Sequence, residues 1–517
     1  MELVQKSIQV NTMAESITHQ FHIGEDMNVP DAKEDVVRIL QTYGKIHIKD
    51  IQKLEQYLKI KGELEYQILY ATEDEERRVA CMEGKTPMEE MVYVENLDEE
   101  YVVKCNQMDM NATLIHSRKI NMKTLVELEI QKSQVKTEDI TIDVASDSDV
   151  LKRYVTTPIL ELNMSKKDTY RIKEEVKLPG TKENIGSMLL HRIGNMQLDT
   201  RVAQDELLLH GEFQFFCMYI SDEWKEDYVA QSVTFEGKIS CVGMDESMFH
   251  HLSYEIDDIS VDTQMDEDGE VRILNIEATI KMDIKVYEER DYEILDDLYM
   301  LEKKCELSRN SVYVESLLLQ NQSKCKVIET LALPELRDDL LQICTANGMV
   351  QLEQIEVEEG RIELAGILHV DVLYVRSDDR YPYASWQGMI PFSHSIECPN
   401  AKDVVYNIES YLEQVAVTMS GNGELEVKAV VNFHGFMRKA HLLEVIDKVE
   451  IEDFTLQELE EQAGIIGYIY KDDDNMWDLA KKFHTTADRI LKNNKISEKE
   501  MKGGQKLLIF KENVSIL

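Results

Sequence analysis

The sequence predicts a mainly β protein: three tandem homologous β-rich, sandwich-like domains, followed by a small α+β module of strand–helix–helix–strand order. Three observations carry this. A proline-led phrase recurs at Val29-Pro30, Leu178-Pro179 and Leu333-Pro334, and 32 residues after each proline a glycine (62, 211 and 366) opens an alternating strand. A period of about 150 residues is too long for a solenoid unit and fits a domain. After residue 450 the phrase stops and a different, compact pattern begins.

The strands after the glycines are the clearest elements. In segments 62–70, 211–219 and 366–374, Leu64, Tyr66 and Ile68 share one face, as do Phe213, Phe215 and Cys217, and Leu368, Val370 and Val372. That period of two belongs to a strand with one face on a core. Each segment ends in a tyrosine (70, 219 and 374) placed to bury its ring and send its hydroxyl to the rim, with no catalytic role required. Between proline and glycine, segments 32–40, 182–190 and 335–343 read as brief amphipathic helices, with acidic residues in their first turns opposing the helix dipole. A second glycine follows the first by 22, 26 and 22 residues, at 84, 237 and 388, which predicts a longer hairpin loop in the middle copy. Leading strands are expected near 5–10, 157–164 and 312–319, and closing strands over 125–130, 274–286 and 425–433. The acidic stretch 257–270 reads as a loop. These marks divide the chain into 1–150, 151–307 and 308–449, a charged and partly helical connector at 450–462, and the small module at 463–512. Leu190, Leu207 to Leu209, Met248, Phe249 and Tyr374 are candidates for contacts between copies, with burial inside one copy the simpler assignment.

At 517 residues the chain predicts about three to five domains, and 43% apolar with 30% charged residues is ordinary for folded protein. The net charge of −42, from 99 acidic against 57 basic side chains, repels nucleic acid and anionic lipid and suits a basic partner or simple solubility. No apolar run reaches the ~18 residues of a membrane span, so no membrane insertion is expected. The first residues lack the basic segment and apolar core of a signal peptide. None of the eight cysteines forms a CxxC pair, so zinc has no obvious site, and most read as small buried hydrophobes in a reducing compartment.

In the unrepeated end, residues 467–470 read as a strand and 471–475 as a turn. Trp477, Leu479, Ala480 and Phe483 fall on one side of a first helix, Thr485 or Thr486 caps a second, and residues 503–510 return as a strand. Tyr468, the turn at Asp472–Asn475, Trp477 to Ala480, Phe483, Ile490, Asn494, Gly504-Gln505 and Leu507 to Ile509 make this module resemble a LysM domain. The Gly62/Tyr70, Gly211/Tyr219 and Gly366/Tyr374 marks make the body resemble the domain of unknown function of Gram-positive spore coat and spore envelope proteins. Repeats of that domain followed by one LysM resemble the clostridial spore coat morphogenetic proteins that interact with stage IV sporulation protein A.

The resemblance implies a non-enzymatic assembly factor in the mother-cell cytoplasm at the forespore surface. It would link the basal coat ATPase, stage IV sporulation protein A, to the coat, with other coat proteins as further partners. The tail would be a protein-docking module, although LysM domains more generally bind N-acetylglucosamine-containing glycans such as peptidoglycan. Glycan-binding members carry Gly-Asp-Thr in the first loop; here Asp472-Asp473-Asp474 and Asn475 stand there, and the usual Ile-Pro ending is Ile509-Phe510. This favours protein docking over glycan, with Asp472, Asp473, Asp474, Asn475, Met476, Trp477, Lys495 and Phe510 as partner-binding candidates. Among these, Trp477 suits core better than contact, whereas Met476 and the others suit the surface.

A catalytic site lacks parts. His250-His251 has no third ligand at metal spacing, and His394, His434 and His441 stand in no nucleophile motif. No phosphate-binding glycine loop is present. No catalytic residue, metal or cofactor is expected.

Overall fold

The computed structural model describes residues 1–95, 100–402, 404–420, 423–455, 464–497 and 501–510. Each repeat contains six antiparallel strands in two three-stranded sheets. The first holds β1 (Glu2–Asn28), β2 (Arg38–Leu54), β3 (Tyr57–Ala71), β4 (Val79–Tyr93), β5 (Glu100–His116) and β6 (Lys119–Ala145). Its sheets run β1-β6-β5 and β2-β3-β4. The second holds β7 (Leu151–Lys177), β8 (Ile185–Ala203), β9 (Glu206–Ser221), β10 (Glu226–Ser240), β11 (Phe249–Met265) and β12 (Val271–Tyr299). The third holds β13 (Lys303–Ala332), β14 (Leu340–Glu358), β15 (Arg361–Arg376), β16 (Tyr383–Glu397), β17 (Val404–Ser420) and β18 (Glu424–Asp453). Both later repeats reproduce the same two sheet orders. The repeated sandwich-like domains are therefore present. The chain passes between repeats at 146–150 and 300–302, so β13 begins ahead of the division placed at 308.

Alternation in the central strands does what it predicts. Leu64 and Ile68 meet Val126 and Leu128 inside the first repeat, Phe213 and Phe215 meet Ile276 and Ile280 in the second, and Leu368 and Val370 meet Val431 and Phe433 in the third. The recurrent glycine has a steric reason. A Cβ at Gly62 would stand 2.4 Å from the His47 carbonyl oxygen, and one at Gly366 2.3 Å from that of Gln351. The repeated tyrosine ties its strand to the proline loop: the Tyr70 hydroxyl donates to the Glu34 carbonyl at 3.3 Å and Tyr219 to that of Glu183 at 3.1 Å. Arg118 and Arg272 clamp the same loops by donating to the carbonyls of Pro30 and Pro179.

That clamp explains why the expected helices do not form. Segments 32–40 and 182–190 are turns that run directly into β2 and β8, and the third copy forms only a 3-10 turn, Pro334–Leu336, before β14. Acidic residues behind a proline imitate a helix start, but the loop carbonyls are held by side chains from elsewhere instead of by a following helical turn. The middle hairpin is also shorter, not longer. Tyr219 pairs with Asp227, whereas Tyr70 pairs with Ala80 and Tyr374 with Ala384. Gly237 opposes Leu209, while Gly84 and Gly388 oppose Tyr66 and Val370, so the middle glycine is not their equivalent. Residues 257–265, expected in a loop, belong to β11.

The repeats do not follow one another in a row. They close around a common axis, and cores shared by all three lie along it. Leu69, Met218 and Leu373, each seven residues past its repeat glycine, meet in one cluster with Leu40, Cys81, Leu190 and Cys344. Val10, Ile159 and Val314 meet Ile140, Ile294 and Val445 in another, where the long first and last strands of each repeat come together. Leu190 is thus a contact between copies, whereas Leu207, Leu209 and Tyr374 are buried in cores of their own repeats.

Between these apolar layers the axis is polar and asymmetric. Lys104 of the first repeat donates to Ser253 of the second and Glu409 of the third, both at 2.8 Å. Arg438 and Glu315 form a fully buried ion pair at 2.7 Å, and Arg438 also donates to Asn407 at 2.8 Å and to the Asn11 carbonyl at 3.4 Å. Asn11 donates to the Tyr287 hydroxyl at 3.1 Å, and Tyr287 stacks on Phe436 with centroids 4.9 Å apart. Each layer draws on all three copies with different residues, which fixes the order in which the copies close.

The junction of the second and third repeats also holds His250, His251 and His434, each half-buried. Desolvation holds all three below the ordinary imidazole range, His250 at about 4 with His434 adding to the effect, and His251 well below that range beside Lys104 and Lys285. The folded chain keeps these rings neutral, while an unfolded chain protonates them below about pH 6.5. Stability should therefore be intact at pH 7 and fall as the pH drops toward 4, with His250 alone contributing a loss of about 2 kcal/mol by pH 5. Urea midpoints at pH 7 and pH 5 check this; an unchanged or higher midpoint at pH 5 would contradict it.

Candidate functional site

The unrepeated module has the expected order: β19 (Ile465–Ile469), α1 (Met476–Lys482), α2 (Ala487–Asn494) and β20 (Lys506–Phe510), with β19 and β20 antiparallel. Asn475 caps α1 by accepting from the Asp478 amide at 2.8 Å. Thr486, rather than Thr485, caps α2 by accepting from Arg489 at 3.3 Å. Asn494 stitches α2 to β20, donating to the Ile490 and Leu508 carbonyls and accepting from the Leu508 amide, each at 2.8 Å. The connector at 450–462 divides: β18 continues through Asp453, and 456–463 lie outside the described residues.

The module sits against the end of the second repeat. Tyr299 of β12 enters its core beside Met476, Leu479 and Ile490 and donates to the Thr485 carbonyl at 2.8 Å. Next to it Asp297, only 4% exposed, accepts from the Trp477 indole at 2.8 Å and the Lys481 ammonium at 2.6 Å. Burial alone would raise the Asp297 pKa, but these two donors outweigh it and hold the carboxyl below its usual range. Arg153 stands over the Trp477 ring and pairs with Asp478 at 3.4 Å, and Tyr299 meets the indole edge-on at 4.9 Å. No sequence motif marks Asp297 or Tyr299, which stand in a strand end, Glu293 to Tyr299, that mixes acidic and apolar residues.

The eight candidates divide accordingly. Met476, expected at the surface, is 2% exposed and belongs to the core shared with Tyr299, because the first residue of α1 points at the dock. Trp477 is half-buried and its indole is taken by Asp297. Asp472, Asp473, Asn475, Lys495 and Phe510 are exposed, and Asp474 is half-buried, its carboxylate accepting from the Lys471 amide at 2.8 Å. Asp472 reaches across to the other loop, where its carboxylate accepts from the Gly503 amide at 2.9 Å. A Cβ at Gly503 would lie 2.4 Å from that carboxylate. The exposed faces of β19 and β20 carry Ile465, Ile469, Leu508 and Phe510, an apolar patch on the outer side of the sheet.

Among the described residues no group of three or more His, Cys, Asp or Glu side chains stands together to hold a metal, and no helix is long and apolar enough to cross a membrane.

Comparison with known families agrees with this arrangement. A model described as the SipL, SPOCS domain matches residues 35–115 and 339–420, which contain β2 to β5 of the first repeat and β14 to β17 of the third. A LysM domain model matches residues 468–510. No curated protein and no solved structure gives a match. The matched segments exclude the long outer strands that build the shared axis. The chain thus carries SipL-type SPOCS domains at residues 35–115 and 339–420 and a LysM domain at 468–510.

Proposed function

We propose that the chain is a non-enzymatic scaffold of spore coat assembly. Its LysM domain docks the basal coat ATPase, stage IV sporulation protein A, at the forespore surface in the mother-cell cytoplasm, and its repeats carry other coat proteins. The observation that supports docking is the division of the LysM surface. One side is held by Asp297 and Tyr299, while the sheet face with Ile465, Leu508 and Phe510 and the Asp472–Asn475 loop are left open. An apolar patch beside an acidic loop suits a protein surface with an apolar centre and basic rim. For glycan, the Asp472 carboxylate already spans the two loops between which a sugar would have to lie.

The test uses the full chain, because Tyr299 completes the LysM core. Leu508→Glu with Phe510→Glu should weaken binding to the coat ATPase at least about ten-fold, as expected for losing central apolar anchors. Unchanged ATPase binding, or retention on peptidoglycan without ATPase binding, would contradict the proposal.

A further inference from the structure

Because the three repeats share one register, equivalent positions can be compared directly within the chain. At the hairpin end of the β2-β3-β4 sheet, Tyr57 pairs with Leu54 and with Tyr93, and Lys59 pairs with Met91. Leu54 is 43%, Tyr57 42%, Met91 45% and Tyr93 51% exposed, and the two tyrosines meet edge-on at 5.8 Å. All four side chains lie on the outer face of the sheet. The positions of Leu54, Tyr57, Met91 and Tyr93 are occupied by Ala203, Glu206, Lys238 and Ser240 in the second repeat, and by Glu358, Arg361, Ser395 and Glu397 in the third. The fold therefore does not require large apolar residues there; only the first repeat has them at these four positions.

Charge sets the same sheet apart. Its strands carry seven basic and six acidic residues. The corresponding sheets carry three and six in the second repeat and two and six in the third. In a chain of net charge −42, most surfaces repel a second copy. This sheet does not, and its neighbouring charges are already neutralised within it, as in Lys49–Glu63 and Lys59–Glu89 at 2.5 Å. The tip lies at the strand ends opposite Leu69, Ala71 and Cys81, which face the axis, so the other repeats leave it clear. Pro87 in the edge strand β4 lacks the amide that strand addition needs, which favours contact through the face.

We propose that this face pairs with the same face of a second copy of the chain, in a symmetric contact with Tyr57 and Tyr93 at its centre. A symmetric contact sets like against like, so it needs a surface that is charge-balanced and apolar at once. The patch is small, so the pairing is weak and concentration-dependent, and it strengthens when many chains are held on one surface.

Sedimentation velocity on the full chain across a concentration series, at low and high salt, tests this. The expected result is a reversible dimer that tightens as salt rises, because salt screens the repulsion between two acidic chains and leaves the apolar contact in place. Tyr57→Glu, Met91→Lys and Tyr93→Ser together place the second repeat's residues at exposed sites and should weaken the dimer at least ten-fold. Tyr93→Ser alone should weaken it partly, and Met389→Lys, at an exposed site on the third repeat, should not change it. A monomer at every concentration, a dimer indifferent to the triple change, or a dimer that salt dissociates would each overturn the proposal. So would a patch that binds another protein while the chain itself stays monomeric.

Discussion

Replacing Asp297 with alanine releases the LysM domain from the body. The carboxylate is buried and accepts from Trp477, Lys481 and, at 2.9 Å, the Leu298 amide. Its removal strands an indole N–H and an ammonium in a half-buried site, a loss of about 2–4 kcal/mol from docking. Trp477 fluorescence reports this in a chain whose other two tryptophans, Trp224 and Trp386, are changed to phenylalanine. The expected result is a shift to longer wavelength as the indole enters water, together with faster proteolysis of the connector. An emission spectrum unchanged by the substitution would show that the dock does not depend on Asp297. The pH sign follows from the lowered carboxyl pKa: the ionised group supports docking above about pH 4, and the support is lost as pH falls through the folded value.

Replacing Arg438 with methionine costs about 3–5 kcal/mol, because Glu315 then remains buried without a counter-charge. The Tyr313 hydroxyl, which donates to Glu315 at 2.6 Å, cannot supply one. The loss should appear as a lower thermal and urea midpoint for the whole body, since Arg438 also binds Asn11 and Asn407. Adding Glu315→Leu should recover most of it, because two apolar residues leave no unpaired charge. If the double variant were as unstable as the single one, the layer would be stabilising through its hydrogen bonds instead of serving mainly to fix the order of the copies.

The sandwich of each repeat was legible because Leu64, Tyr66 and Ile68 and their counterparts alternate, and alternation is a local signal. Closure around an axis was not read, although a trace of it is present. Segments such as Phe215 to Ile220 are buried continuously, which requires cover on both faces of the sheet. Alternation at the start of the strand drew attention to one face only. The polar layers left no trace, since Arg438, Glu315 and Lys104 look like ordinary surface residues in a chain that is 30% charged. Burial depends on contacts between strands that lie more than a hundred residues apart. In the tail, the two helices and a cap at Thr485 or Thr486 were readable from spacing. The occupation of Trp477 was not, because its partner lies in the second repeat.

The central claim is that three divergent copies close into one body. The most direct test is to measure distances between spin labels placed in pairs at the equivalent turn positions Glu55, Gln204 and Glu359, with the exposed native Cys105 replaced by serine. Closure requires three closely similar distances, including the one between the first and third repeats. A linear array would make the first-to-third distance about twice either of the others, and that result would contradict the account.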